Sequence, residues 1–511
     1  MDIKKQTNHG YFAKPAPLNT LDGQRFNLGI HGSHNGAIAI SYGATVLEVV
    51  EIERWVKKKN AGLFHYFPVP NPLEVLDEIL DYFEDKYGAK NYHNAMENSF
   101  PPEHYNKLRA DNIQFVPHHI AHVSNVFYQS NARRTLNISF DGGSDDGYFN
   151  VFEIDRGSEP RKIKKSNHDL CVAYQAAGHY IPEIKQEDIW WGNLVYSGKV
   201  MGLSAYGKKD EKLIERVKKY FKSVRQMFVD KAYEKWEEEF TDKLWKGQKG
   251  RDLAFAVQYV FEERFKELTQ YNIENKDNRQ LQMSGGGAMN ILNNSNYDSF
   301  VSPQADDRGI ALGCLLHLLR PNRALETAYL GPEPWDALPE VKEEITTLDV
   351  SRMLEKGLFV GLIQGRMEYG ARALGNRSIL AKPGPGVKDK LNADIKNRES
   401  FRPFAAVVRA EDFERYFEGE NPEQYQWMTH NARFRKGKEV EGVAHVDGTC
   451  RVQTVTKKQN PFLWRILLDT PIILNTSFNI QGQPILNTYE DALKMKSNTG
   501  LDEVITDKYR L

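Results

Sequence analysis

His118-His119-Ile120-Ala121-His122 sets two imidazoles four residues apart. On a helix that spacing puts His118 and His122 on one face, one turn apart, where a single metal ion can take both. The same pair also serves as ordinary packing or hydrogen-bonding residues, and the pattern alone does not choose. His119 points off that face by the same geometry and is excluded from the pair. Two carboxylates stand at chemically useful places: Asp141 ends an apolar run at Asp141-Gly142-Gly143, and Asp307 opens an apolar helix. Each would serve equally as a simple backbone cap. Taken together, two histidines and two carboxylates suit iron(II), manganese or another octahedral ion better than structural zinc.

Such side chains need strands that end at glycine turns. Phe26-Asn27-Leu28-Gly29-Ile30 runs into His31-Gly32-Ser33-His34-Asn35-Gly36 and on into Ala37-Ile38-Ala39-Ile40, which reads as strand, turn and strand. The plan recurs at residues 135–140, 141–147 and 148–154, and predicts a duplicated half-domain. A third glycine turn, Ser284-Gly285-Gly286-Gly287, follows, and then Asp306-Asp307-Arg308-Gly309 opens a helix over 310–319. Glycines at such turns let backbone N–H groups approach a phosphate. Residues 208–251 carry 14 Lys+Arg against 9 Asp+Glu in a helical pattern. That segment reads as a solvated helical face, with a site for an anionic partner as the alternative. Proline-rich residues 321–350 are expected to be a linker, residues 1–25 a polar extension, and Phe359-Val360-Gly361-Leu362-Ile363 the first strand of a separate α/β unit.

Composition bounds the function. A chain of 511 residues needs more than one core at ~100–200 residues per domain. Its 68 Lys+Arg balance 69 Asp+Glu, which argues against a surface built wholly for nucleic acid. The most apolar stretch, residues 309–319, falls short of the ~20 residues of a membrane helix. The first residues have no apolar signal-type core, and Cys171, Cys314 and Cys450 form no CxxC pair. Reduced thiols in a cytoplasmic protein are the expectation.

The set HHIAH, FDGGSDDG, SGKVMGLSAYGK, SGGGAMN and DDRGIALG resembles the first half of the O-carbamoyltransferase family, which includes nodulation-factor and antibiotic-tailoring enzymes. The second half adds GRMEYG, RALGNRS, IKNRE, FRPF, HVDGT and NTSFN in family order, so the resemblance spans about residues 26–505. It implies an α/β protein: a duplicated actin-like ATPase (ASKHA) domain over 26–320, similar to tRNA threonylcarbamoyl-transfer proteins. A smaller YrdC-like adenylate-forming domain over 351–511 would follow. Two departures stand out. His34-Asn35 replaces the family's His-Asp, and Ala371 its proline.

The resemblance also implies roles. His118, His122, Asp141 and Asp307 would hold a divalent metal, iron(II) first, with manganese or magnesium as alternatives. Lys396, Arg398, Arg402 and Arg451 would handle ATP and carbamoyl phosphate, because bidentate cations match phosphate oxygens. Lys199, Gly202, Gly285, Gly286 and Asn290 would bind the nucleotide in the first domain, and Asn475, Ser477 and Asn479 in the second. His34 would take the acceptor's proton. The expected acceptor is a small-molecule alcohol, a sugar or natural product, with no membrane partner and with homodimer formation left open. A hydroxymethylated nucleotide or DNA base is the alternative acceptor. A non-catalytic actin-like regulator is the alternative class. Threonylcarbamoyl transfer to tRNA would need more RNA-binding character than a net charge of −1 provides.

Overall fold

The computed structural model describes residues 25–511 except 145, 186–193, 223–239, 241–244 and 326. The expected N-terminal extension, apart from its last residue, and much of the charged stretch at 208–251 lie outside the described residues. Among the described residues the molecule is a mixed α/β protein built on three sheets.

In the first sheet the strands are β1 (Phe26–His31), β2 (Ala37–Tyr42), β3 (Thr45–Glu51), β4 (Tyr92–Asn98) and β5 (Ala110–Phe115), ordered β3-β2-β1-β4-β5. β1 and β3 flank β2 antiparallel, whereas β4 lies parallel to both β1 and β5. The second sheet holds β6 (Arg134–Ser144), β7 (Gly147–Asp155), β8 (Arg161–Ser166) and β9 (Gln280–Ser284), ordered β8-β7-β6-β9. Its strands repeat the senses of the first sheet, and a parallel bridge from Gln282 to Phe300 stands where β5 stands in the first. One strand plan therefore occurs twice.

Alternation explains how the first sheet faces two cores. Leu28, Ile30, Ile38 and Ile40 pack outward against Leu76, Ile79, Leu80 and Phe83 of the helix Pro72–Tyr87. Ala37 and Ala39 face inward, with Phe152 and Ile154 of β7 on the far side. Between the sheets lie two helices, His118–Tyr128 and Ile310–Leu319, which fill this shared core with Val123, Phe127, Leu312, Leu315 and Leu316. Each such leucine contributes about 1.5–3 kcal/mol by leaving water. The second helix lies so close to its neighbours that glycine is required twice. A Cβ on Gly29 would stand 2.1 Å from Ala311 O, and one on Gly313 would stand 2.0 Å from Ala121 O. This crossing brings Asp307, just ahead of the helix, to His118 and His122. Gly313→Val is expected to cost about 3 kcal/mol or more through forced separation of the helices. An unchanged urea midpoint would show that the crossing can yield.

The third sheet is ordered β10-β18-β17-β11-β12-β16-β13-β15-β14. Its strands are β10 (Glu343–Glu344), β11 (Val360–Ile363), β12 (Arg377–Ala381), β13 (Ala405–Arg409), β14 (Asn431–Arg433), β15 (Thr449–Val455), β16 (Ile473–Ser477), β17 (Glu503–Ile505) and β18 (Tyr509–Arg510). One face packs Ile363, Ile379, Phe404 and Leu474; the other packs Leu362, Leu380 and Val407 beneath the helices Thr347–Glu355 and Pro461–Asp469.

The stretch 321–350 does more than connect. Its prolines prevent long elements, yet it holds β10 of the third sheet, and Leu330 O accepts from Val49 N of the first at 2.9 Å. A buried ionic clasp reinforces this seam. Arg54 pairs with Glu51 at 2.7 Å and donates to Gly370 O at 2.7 Å and to Glu368 O. Arg308 pairs with Asp306 at 2.5 Å and lies 3.6 Å from Glu51 and Glu53, while the Tyr369 hydroxyl donates to Arg308 O. Burial pushes Glu51 up to about 7 against the pull of Arg54.

Candidate functional site

The helix His118–Tyr128 begins at its first histidine, so His118 and His122 stand on one face at its N-terminal end. Both are buried, and their Nε2 atoms lie 3.1 Å apart. His122 Nε2 is 2.9 Å from Asp141 Oδ2 and 3.3 Å from Asp307 Oδ1; His118 Nε2 is 3.8 and 3.6 Å from the same atoms. The four side chains, from one helix, the end region of β6 and the start of a second helix, thus aim their donors at one point, all within 4.8 Å. Burial disfavours charge throughout the group, yet Asp141 and Asp307 carry His122 up to about 10. Burial and the Asp141 charge oppose ionisation of Asp307, but His118 and His34 hold it down at about 2. Burial also opposes charge on Asp141, whose carboxyl is held well below the usual range by His118 and His122. Donors about 2.1 Å from an octahedral ion stand about 3.0 Å apart when adjacent and about 4.2 Å when opposed. The observed spacings and the donor types fit a divalent ion.

His119 turns away, as expected. Its Nδ1 lies 2.8 Å from Ser139 Oγ and its Nε2 3.0 Å from Gly147 O, and burial lowers it to about 4. Backbone holds the first carboxylate in place. Gly286 N donates to Asp141 Oδ2 at 2.7 Å and Gly142 N to Oδ1 at 2.5 Å, so the third glycine turn acts on the aspartate. His34 Nε2 lies 3.3 Å from Asp307 Oδ2, with the Asn35 amide 3.4 Å from His34 Nδ1. Asn35 sits at a φ of 55°, a conformation asparagine tolerates better than most residues.

The second-half residues gather separately. Lys396 Nζ donates to Ser477 O at 2.8 Å and to Asn479 O and Oδ1 at 2.7 Å each. Burial, then the nearby cations Arg398, Lys59 and Arg402, hold its pKa well below the usual lysine range. Arg398 lies over the Phe404 ring at 4.1 Å, and burial with Arg402 and Arg451 disfavours its charge. Arg451 on β15 is likewise depressed by burial and by Arg372 and Arg402. Positive charge here exceeds its protein counter-charge, and a polyanion would restore the balance. Asn475 is not part of this group. Its amide donates to Ala373 O and Gln453 Oε1 in the core.

Lys199 reaches across the seam and pairs with Glu399 at 2.5 Å, Glu399 itself being 3.4 Å from Arg402. Gly202 faces Phe401 and Arg402. Asn290 is bound into a buried Gln258–Tyr174 network and caps the short helix Ile291–Asn294. Beside the Lys199–Glu399 pair opens a cavity of about 400 Å³ lined by Glu183, Tyr206, Arg251, Glu399, Ser400 and Phe401. Four residues at these sites escaped the sequence reading of roles: His31, Lys59, Arg372 and Glu399. Lys59 is solvent-accessible, but its charged neighbours Glu53, Arg308, Arg402 and Lys199 come from both sides of the seam. Arg372 and Glu399 lie inside quoted motifs; Lys59 ends a Lys57-Lys58-Lys59 run that reads as a solvated surface.

Two family models match the chain, one described as "Carbamoyltransferase N-terminus" over 73–316 and one as "Carbamoyltransferase C-terminus" over 351–511. The chain belongs to the carbamoyltransferase family. Within it, curated relatives carry the name O-carbamoyltransferase, and the resemblance of the motifs to that group is borne out. A 3'-hydroxymethylcephem-O-carbamoyltransferase of Amycolatopsis lactamdurans is 30% identical over 343 residues, 60% of this chain and 63% of that one. Nodulation protein NolNO of Sinorhizobium fredii is 28% identical over 446 residues, 78% of this chain, and the match spans only 63% of that longer relative. An uncharacterized protein of Methanocaldococcus jannaschii is 28% identical over 94% of this chain and 98% of its own. Among solved structures, full-length HypF in its phosphate- and nucleotide-bound form matches 59% of this chain and 47% of its own at 12% identity and a TM-score of 0.36, a likeness that carries no argument here. No helix among the described residues is long and apolar enough to cross a membrane.

Proposed function

We propose that the chain is an ATP-dependent O-carbamoyltransferase with two reaction centres. The single observation that carries this reading is the pairing, across one seam, of a four-donor cluster with a separate cleft of under-compensated cations. On this reading residues 26–320 form an actin-like transfer domain and 351–511 an adenylate-forming domain. In the second, Lys396, Arg398, Arg402 and Arg451 hold ATP and carbamoyl phosphate. Water releases inorganic phosphate from carbamoyl phosphate, the carbamate oxygen bonds to Pα of ATP, and pyrophosphate leaves. In the first, His118, His122, Asp141 and Asp307 hold a divalent ion, iron(II) by the donor set. When bound, such an ion supplies Lewis-acid polarisation of the adenylate phosphate. His34, whose Nε2 faces Asp307, takes the acceptor's hydroxyl proton at Nδ1. The hydroxyl oxygen then bonds to the carbamoyl carbon as its bond to the phosphate oxygen breaks and AMP departs.

The cavity at the Lys199–Glu399 pair is of a size that small-molecule sites have, and we assign it to the acceptor. In the 208–218 stretch Lys209 pairs with Glu211 and Lys218 with Glu215 and Glu263, and Arg216 lies over the rings of Phe240 and Trp245. That pairing supports a neutral sugar or natural-product alcohol over a nucleotide or DNA. The test is mass spectrometry for the gain of one carbamoyl group across a panel of alcohols and modified nucleosides, with ATP and carbamoyl phosphate. Transfer to a neutral alcohol should hardly change with added salt, whereas a polyanionic acceptor would lose rate steeply. With adenylate supplied, His34→Ala should slow transfer about 100-fold or more. Near-full transfer by that variant would remove the proposed base.

A further inference from the structure

Tyr66 stands against the proposed base, and no role has so far fallen to it. Its ring meets that of His34 edge to face, with centroids 5.7 Å apart and planes at 70°, and 55% of the residue stays exposed. The backbone beneath it is strained, because Tyr66 has a φ of 54°. Asparagine accepts that region, as at Asn35 and Asn60, but a bulky side chain enters it at a cost. Among the described residues Tyr66 is the one aromatic that does so. Strain of this kind persists where the surroundings enforce it, and it gathers at ligand clamps.

The surroundings do enforce it. Asn35 N donates to Asn60 O at 3.1 Å, Gly36 N to Ala61 O at 3.0 Å and Phe64 N to Gly32 O at 2.8 Å, which pins residues 60–64 along the turn that carries His34. A Cβ on Gly62 would stand 1.9 Å from Ser33 O, so the two runs of backbone touch. Gly62 N donates to Phe67 O at 3.1 Å and Val69 N to Gly62 O at 3.0 Å, closing the neck of a small loop that holds Tyr66. Phe64 packs against the apolar core beneath the first sheet, whereas Tyr66 stays on the surface. The same segment starts at Lys59, whose charged neighbours include Lys199 and Arg402. It therefore runs from the edge of the cavity assigned to the acceptor to the base that takes the acceptor's proton. An aromatic face at that place suits one chemistry. A pyranose carries hydroxyls on its rim and C–H groups on its faces, and the electron-rich face of a tyrosine ring attracts those hydrogens. The geometry points to Tyr66 as the platform of the acceptor site: the acceptor is a sugar whose ring lies on the Tyr66 face, with one hydroxyl directed at His34. The inference rests on the reading of His34 as the base and names the substrate class for it.

The probe is methyl β-D-glucopyranoside, whose equatorial hydroxyls leave both ring faces apolar, with glycerol as an alcohol that has no face. Saturation-transfer NMR on the full-length chain reads their binding without any turnover. The glucoside should bind the wild type and Tyr66→Phe alike, and Tyr66→Gly at least about 5-fold more weakly, while glycerol should not distinguish the three. Glycine adopts a positive φ without strain, so Tyr66→Gly should melt no lower than the wild type. Weaker binding by a protein that is not destabilised is a result that a merely structural tyrosine would not give. Tyr66→Asn, which also accepts this backbone, is the second variant and should behave as the glycine does. Equal glucoside binding by the wild type and Tyr66→Gly, or none by the wild type, overturns the platform. So does a lower melting temperature in both variants, since the ring would then be holding the loop. Glucoside binding that depends on Tyr66, together with full transfer by His34→Ala, would instead keep the platform and remove the base.

Discussion

Asp307→Ala is expected to abolish carbamoyl transfer while adenylate formation continues. Asp307 lies within 3.8 Å of four imidazole nitrogens, those of His31, His34, His118 and His122. Asp141 and Asp307 together hold His122 far above a free histidine; removing the Asp307 carboxylate takes away the second of these charges and deletes one of the four convergent donors. Even loss of a residue that merely orients a ligand weakens metal binding about 10–100-fold, so loss of a ligand should exceed that range. His118→Ala should act alike. The third sheet, with its own apolar faces, should remain folded in both variants and keep making adenylate from ATP and carbamoyl phosphate. Elemental analysis of the purified variants is the direct check. Full metal content in either one would sink the assignment of these ligands.

Lys396→Ala should give the reverse pattern: metal content intact, adenylate formation lost. The ammonium has three protons, and Ser477 and Asn479 supply four oxygens around it, at 2.7 to 3.3 Å. Lysine thus does two things here, tying the 477–479 loop and adding charge to a cleft already crowded with Arg398 and Arg402. Loss of one preorganised charge of this kind costs about 100–1000-fold in rate. Lys396→Met keeps most of the stem without the charge and separates the two contributions. If the Lys396 variants still make adenylate and the metal-free enzyme cannot, the two reactions have been assigned to the wrong halves.

Much of the scaffold was readable from period and punctuation. The apolar alternation and glycine turns foretold β1, β2, β6 and β7, and the apolar run foretold the helix Ile310–Leu319. β10 was not readable, since two glutamates in a proline-rich stretch carry no strand pattern and pair only because β18 lies alongside. The histidine pair announced itself by spacing, and the structure turns both rings to one point. The carboxylates needed the family resemblance, because a strand-end or helix-start aspartate is as often a cap. His31 could not be read at all: the pleat alone decides that its ring turns inward toward Asp307. Lys59 was hidden by composition, because a run of three lysines reads as solvated surface and its charged neighbours Arg308, Arg402 and Lys199 are far away in the chain. Glu399 sat inside a noticed motif, yet its partner Lys199 is two hundred residues away.

Arg308 follows Asp307 directly in the chain, and it is also the arginine held by Glu51, Glu53 and the Tyr369 hydroxyl at the seam. The two halves are therefore poor interchangeable parts. A chimera joined anywhere within 321–350 would unite Glu51, Arg54 and Arg308 from one parent with the 368–370 turn of another. Any mismatch in that turn would strand buried charge, at a cost of about 3–5 kcal/mol. It would also displace the residue next to Asp307. Recombination between relatives, in nature or in the laboratory, should thus succeed only where the clasp travels together with the turn it grips.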